Sequence, residues 1–363
     1  MTERQFEELG ERMLKAYDEA EQEMIRRTAR RLARGVTEEG WTERKYAEVR
    51  QARQAIENSL KSAHKTAEGI MGNALTAAYG ESQQRWLLEN RDVVSAMGVM
   101  HGNAGKVATI LADLDSRLNA AERTVLRRFD DVYAEVIGET SSLVATGAYT
   151  QRQALGIAMQ RFADQGVSSF TDRAGRNWSL SSYSEMALLT SIGRASLNGY
   201  VDTMQSYGYD LAVISSHAGS CPICQAWEGV IISVSGTDGE YPSLSEAASD
   251  GVFHPRCLHD IYTYYPGISH GDFRKEPREI EEPGEEYTAR TRQRQIEGYI
   301  RKYKRRMAAA ITPQEERQAY NKVRQWQAAM REHLENNADK ALPRHYWREG
   351  GRAVLRKQKK NHQ

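Results

Sequence analysis

Along the first part of the chain, apolar residues return at steps of three and four, the period of a helix with one buried face. Phe6, Leu9, Met13, Ala16, Ala20 and Met24 trace one such stripe among glutamates and arginines. Gly35 and Gly40 bracket a break, and Thr42 is placed to cap a second helix from about Glu43 to Tyr79. That helix is polar and Ala-rich, so its thin apolar face needs a partner. A further helical stretch from Glu81 to His101 carries Trp86, Leu87, Val93, Val94 and Met97, and HGNAG from His101 to Gly105 reads as a loop. The most regular pattern follows: Val107, Leu111, Leu114, Leu118, Ala121, Val125, Phe129, Val132 and Val136. It predicts a long helix packed in a bundle or, equally, in a coiled coil with a second chain.

After Gly147 the pattern changes. Thr150 to Gln165 predicts a short helix stopped by Gly166, and VSSFTDRAGRNWS predicts a hairpin with Asp172 to Gly175 at its turn. A helix runs from the serines after Trp178 to Gly208. YDLAVISS, EGVIISVSG and LHDIYTYYPG predict three strands, and Ser243 with Glu246 forms a capping box for a helix between the last two. Residues 271–286 are an acidic, proline-bearing linker. Beyond it lie a basic helix, RTRQRQIEGYIRKYKRRM, and a second helix that starts at Thr312-Pro313 with Tyr320, Val323, Trp326, Met330 and Leu334 on one face. RKQKKNHQ at the end reads as disordered. The expected fold is mainly α with a small α+β domain: long helices over 1–147, a compact knuckle-bearing module over 148–270, the linker 271–286 and a helical basic tail over 287–363.

Charge adds one asymmetry. The 363-residue chain is nearly neutral at +1, yet from Tyr287 to Gln363 there are 20 lysines and arginines against 7 acids. The tail is therefore the part expected to meet polyanions such as DNA, through phosphates and without sequence preference, with Arg294, Arg301, Lys302, Lys304, Arg305 and Arg306 as the contact residues. The competing reading is a solvated helical face laced by pairs such as Glu297 with Arg301. Tyr299, Tyr303 and Trp326 sit at helical spacing, which suits packing better than base stacking. The N-terminus lacks the apolar core of a signal peptide, and no apolar run reaches a membrane-spanning length, so no membrane anchor is expected.

The three cysteines fall in one region. Cys221 and Cys224 make a CxxC, and His254 and Cys257 make an HxxC. Two such pairs joined by a loop are the usual means of closing a tetrahedral Cys3His zinc site, because a two-residue spacer turns both side chains of a knuckle toward one ion. Pro222 and Pro255 stiffen the knuckles, and His217 and His259 are spare ligands or supporting partners. The alternative is three reduced thiols with a chance spacing, in a chain that matures in a reducing compartment. A redox CxxC would need a βαβ setting that the sequence lacks.

Several blocks in order resemble the phage minor capsid protein 2 family, relatives of Mu-like head-morphogenesis proteins. They are YSEM at Tyr183 to Met186, YGYDLAVISSHAGSC ending at Cys221, QAWEGVIISVSG from Gln225 to Gly236, YPSLSEA at Tyr241 to Ala247, YYPGIS at Tyr264 to Ser269, and YTARTRQRQIEGYIRKYKRR. Leu189-Thr190 stands where such proteins tend to have Arg-Thr, and HAGSCPIC replaces a His-x-Gly-Ala-Arg-Pro run with a thiol knuckle. The resemblance implies a virion component inside the capsid at the portal vertex, made in the host cytoplasm and acting in head assembly, DNA packaging or ejection. Its partners would be the portal or major capsid protein, with self-association through the N-terminal helices. The rival class is an enzyme: Cys257, His259 and Asp260 lie close in sequence, and a zinc-bound water with Glu228 or Glu246 would support a nuclease or other hydrolase carried in the particle. No HNH or HExxH pattern accompanies them.

Overall fold

The computed structural model describes residues 3–92, 103–165, 169–171, 177–280 and 282–350. His101 and Gly102 of the predicted loop, with Val93, Val94 and Met97 before them, lie outside the described residues, as do Gly166, the Asp172 to Gly175 turn and the C-terminal RKQKKNHQ; Ala104 and Gly105, expected in that loop, instead begin a long helix. In chain order the elements are α1 (Glu3–Ala33), α2 (Trp41–Glu89), α3 (Ala104–Ala145), α4 (Gln151–Gln165), β1 (Ser169–Thr171), β2 (Asn177–Ser179), α5 (Leu180–Ser206), β3 (Leu211–Ile214), α6 (Pro222–Trp227), β4 (Ile231–Ser233), α7 (Leu244–Ser249), β5 (Ile261–Thr263), α8 (Glu285–Ala309) and α9 (Pro313–Glu335). The fold is mainly α with a small α+β part. No described helix is long and apolar enough to cross a membrane.

The chain gathers into two compact units, and each draws on three separate segments. The first takes Met1–Gly10, Glu68–Arg117 and Glu185–Arg292; the second takes Glu11–Ala67, Leu118–Ser184 and Gln293–Gln363.

In the second unit, stripes from α1, α2 and α3 are buried together: Met13, Tyr17, Met24 and Leu32; Ile56 and Leu60; Leu118, Val125, Phe129 and Val136. The α3 stripe in this unit is thus covered by its own chain, as in a bundle, and no second chain is required to bury it. The Tyr17 hydroxyl donates to Glu122 Oε1 at 2.6 Å, and His64 Nδ1 meets the same oxygen at 2.9 Å. Trp41, at the start of α2, donates from its indole to the Leu32 carbonyl near the end of α1 and so fixes the corner between them. The Thr312 and Glu315 capping box starts α9 after Pro313 enters its first turn. The hairpin of α8 and α9 then buries Ile296, Ile300, Met307, Val323 and Met330. Tyr299 and Trp326 stack on each other at 4.2 Å across it. β1 and β2 pair antiparallel, with Phe170 opposite Trp178.

The first unit is organised on an antiparallel sheet of order β4-β3-β5, with Val213 opposite Ile231 on one side and Tyr262 on the other. Its core combines Trp86 of α2 with Tyr200 and Met204 of α5, Ala212, Ile214, Ile232 and Ile261 of the sheet, and Trp227 of α6. The Trp86 indole reaches Thr263 Oγ1 at 2.9 Å and stacks on Tyr207 at 4.9 Å. Alternation in β5 sends Ile261 into the core while Tyr262 is exposed. The Ser243 and Glu246 box forms as the sequence predicts. The acidic stretch before α8 is laid against this unit: Arg274 exchanges backbone bonds with Gly229 and Ile231, and Arg278 N donates to the Ala226 carbonyl.

Candidate metal centre

The first knuckle is built by the start of α6. Cys221 is its N-cap, with the sulfur accepting from Cys224 N at 3.4 Å, and Pro222 occupies the first turn, where a missing N–H costs nothing. One short helical turn therefore turns Cys221 and Cys224 to the same side. The second knuckle is a tight turn in which Cys257 N donates to the His254 carbonyl at 2.9 Å. Phe253 and Arg256 flank it with φ of 58° and 64°, in the left-handed region where L side chains are strained. Arg256 is held there by an ion pair with Glu185, a buried carboxylate of α5 within the YSEM block. Sequence reasoning did not find this tether, because nothing in the spacing of residues 185 and 256 announces it.

The two knuckles converge. Cys221 Sγ lies 3.1 Å from His254 Nε2, and Cys224 Sγ lies 3.6 Å from Cys257 Sγ. Cys221, Cys224 and His254 form one group with ligand atoms all within 4.8 Å, and Cys224, Cys257 and His259 form another, with Cys224 common to both. Thus His259 also approaches the sulfurs, slightly less closely than His254, with Nδ1 at 3.4 Å from Cys257 Sγ. Each imidazole commits one nitrogen to an oxygen and turns the other toward sulfur. His254 Nδ1 meets the Pro255 carbonyl at 2.9 Å, and His259 Nε2 meets Glu228 Oε1 at 3.1 Å. This is the arrangement that fixes the tautomer of a metal-binding histidine. His217 stays outside: its ring lies 4.2 Å from that of His259, its Nδ1 turns to the Ala218 carbonyl, and its backbone N–H supports Glu228 at 3.2 Å.

The electrostatics follow from the contacts. Cys257 accepts from the Cys224 thiol, which holds its own pKa down against burial, and His259 assists. Cys224 is pushed up by the same hydrogen bond and by burial. Burial alone would lower His259, but Cys257 and Glu228 outweigh it and raise the imidazole. Burial likewise opposes ionisation of Glu228, and bonds from His259, Ser220 and the His217 backbone more than reverse this. Three sulfurs with either one of the two oriented imidazoles match the four-donor chemistry of a closed, tetrahedral zinc site. Cys257, His259 and Glu228 also form a relay, and the first two line a cavity of about 460 Å³ together with Arg85 and Asp260. Asp260 takes no part in the relay, since it is paired with Arg85.

The basic residues singled out on α8 are mostly turned inward. Arg306 forks onto Asp164, with Nε at 2.7 Å from Oδ1, and Lys302 reaches the same carboxylate at 3.3 Å. Arg305 donates to the Ala163 carbonyl at 3.3 Å and faces Glu21 at 3.8 Å. Arg301 donates to the Arg348 carbonyl, and Lys304, buried and with its pKa pulled down to about 8, donates to the Gly350 carbonyl at 3.2 Å. Only Arg294 of the six is exposed. A different basic cluster was passed over, because the first 286 residues are acidic in sum: the run RRTARRLAR from Arg26 to Arg34.

The comparisons with known proteins agree on class. A curated relative, a "Structural protein" of Lactococcus phage LL-H, is 24% identical over 201 residues, which are 53% of this chain and 53% of that protein. The chain thus spans about half the length of the curated relative that it matches. No solved structure matches. The family model for phage minor capsid protein 2 matches residues 1–335, across all the helices and both knuckles described above, and on that evidence the chain belongs to the phage minor capsid protein 2 family of virion structural proteins.

Proposed function

We propose that this chain is a minor structural protein on the inside of the phage head, near the portal, and that it serves head assembly and the handling of packaged DNA. The observation that carries this reading is the family match over residues 1–335, which takes in both compact units rather than one motif. We further propose that one zinc ion joins the knuckles through Cys221, Cys224 and Cys257, with His254 as the fourth ligand and His259 beside it. Such an ion would staple loops that flank a sheet of three- and four-residue strands, where short elements bury little surface of their own. A donor set that closes around the ion suits support rather than catalysis, which needs an open position for water.

A cryo-EM map of the particle tests the location. Density for the two units on the inner face of the head at the portal vertex is the expected result, and density on the outer shell or in the tail would refute it. The Cys257, His259 and Glu228 relay beside its cavity favours one second reading, a thiol-dependent hydrolase. Iodoacetamide separates the two. As a metal ligand, Cys257 is alkylated only after chelation, whereas a free nucleophile is alkylated at once.

A further inference from the structure

The last two turns of α1 and the residue after it carry Arg27, Arg30, Arg31 and Arg34, and these line a cleft of about 390 Å³ whose opposite wall is the first part of α2, including Glu48 and Gln51. The residues are spaced i, i+3, i+4 and i+7, so one helix face presents all four. Few acids answer them. Arg27 meets Glu23 at 2.7 Å, a carboxylate shared with Arg26. Arg31 is 4.0 Å from Glu48, which also takes Lys45 at 3.1 Å. Arg30 and Arg34 are exposed and have no ion pair among the described residues.

Arginines at the C-terminus of a helix commonly serve its dipole and its last carbonyls. Here those carbonyls are already taken: Arg31 O by Arg34 N, Ala33 O by Val36 N, and Leu32 O by the Trp41 indole. The exposed guanidinium groups of Arg30 and Arg34 are therefore left for something else, and those of Arg27 and Arg31 are only partly engaged. From Arg27 to Arg34 the helix rises about 10 Å, and a nucleic-acid strand carries about one phosphate per 3.4 Å of axis, or about three over that length. An extended acidic peptide turns alternate side chains away and offers one carboxylate per ~6.6 Å on a given face, about half that density. Guanidinium forks also suit phosphate oxygens geometrically.

We propose that this arginine cleft grips the phosphate backbone of packaged DNA without reading its sequence. The assignment deepens the head-interior reading and relies on it only for the presence of DNA. A map placing the protein elsewhere would refute the location and leave the binding intact.

The test is an anisotropy titration of the full chain with labelled duplexes of two unrelated sequences, at about 50 and about 200 mM salt. Three to four phosphate contacts predict an affinity loss of about 40- to 150-fold between those salts, equal for both sequences. Replacing Arg27, Arg30, Arg31 and Arg34 together by Gln should flatten the log–log salt slope by about 3 to 4 units. The single variants Arg30→Gln and Arg34→Gln touch no ion pair of the fold and should each flatten it by about 1 unit. A charge-matched control replaces Arg317, Lys322, Arg324 and Arg331, exposed on α9, by Gln and should leave the slope within about 1 unit of the intact protein. Equal losses in the two quadruple variants would overturn the proposal, since overall charge would then explain binding. It would equally fall if polyglutamate or inorganic tripolyphosphate displaced the duplex as well as unlabelled DNA does at equal charge.

Discussion

Gly199, in the middle of α5, offers the sharpest test of the packing. A Cβ placed there would lie 2.4 Å from the carbonyl oxygen of Tyr79 in α2, and 3.1 and 3.2 Å from that residue's C and Cα. All three obstacles are backbone, so no rotamer change relieves them, and reaching an ordinary contact requires the two helices to part by about 1 Å. In an open helix, Gly→Ala stabilises by up to about 1 kcal/mol through backbone entropy. Overpacking of this kind costs about 1–3 kcal/mol, so after that gain Gly199→Ala should be a net loss of up to about 2 kcal/mol. Gly193, six residues earlier on the same helix, has nothing within 4 Å of its added Cβ, so Gly193→Ala should gain up to about 1 kcal/mol. Urea midpoints and melting temperatures of the two variants should therefore move in opposite directions, by a few degrees in Tm. If Gly199→Ala is as stable as Gly193→Ala, the close approach of α2 and α5 is wrong.

Two further predictions follow from the site and from the second unit. Protein prepared without chelators should carry about one zinc per chain, and Cys224→Ser should lower both zinc content and melting temperature; no metal together with unchanged melting in that variant would remove the site. Burial, and then Glu21, raise the Asp18 carboxyl to about 6 in the folded chain. The folded form keeps this proton where the unfolded chain loses it, so the stability it brings is full below about pH 4 and is lost as pH rises through 6, by about 3 kcal/mol at most. Asp18→Asn should flatten that decline in urea midpoints between pH 4 and pH 7.5, and an unaltered decline would exclude Asp18 as its source.

What the sequence made legible was local. The Ser243 and Thr312 capping boxes, the strands at Leu211, Ile231 and Ile261, and each of the CxxC and HxxC knuckles rest on residues a few positions apart; the pairing of the two knuckles, 33 residues apart, was read from ligand chemistry. The α2 helix runs ten residues past the predicted end at Tyr79 and takes in Trp86, since an isolated glycine such as Gly80 weakens a helix without ending it. The role of the α8 cations was not legible, since their partners Asp164 and Glu21 lie more than a hundred residues away. A charge count treats Arg306 and Arg30 alike; only the fold shows that one is answered and the other is not. The tether of Arg256 to Glu185 was hidden for the same reason.

The threading of the chain bears on how it can be made. Since the first unit needs residues up to Arg292 and the second needs segments that begin at Glu11 and resume at Gln293, neither can close while most of the polypeptide is still being translated. The early segments of the second unit, α1 and α3 among them, can pack on one another first, but the unit is complete only when the segment from Gln293 has been added. Closure of the second unit thus waits on residues beyond Gln293, and a chain stopped before that point lacks the segment that completes it, leaving the incomplete packing on which aggregation and chaperones act.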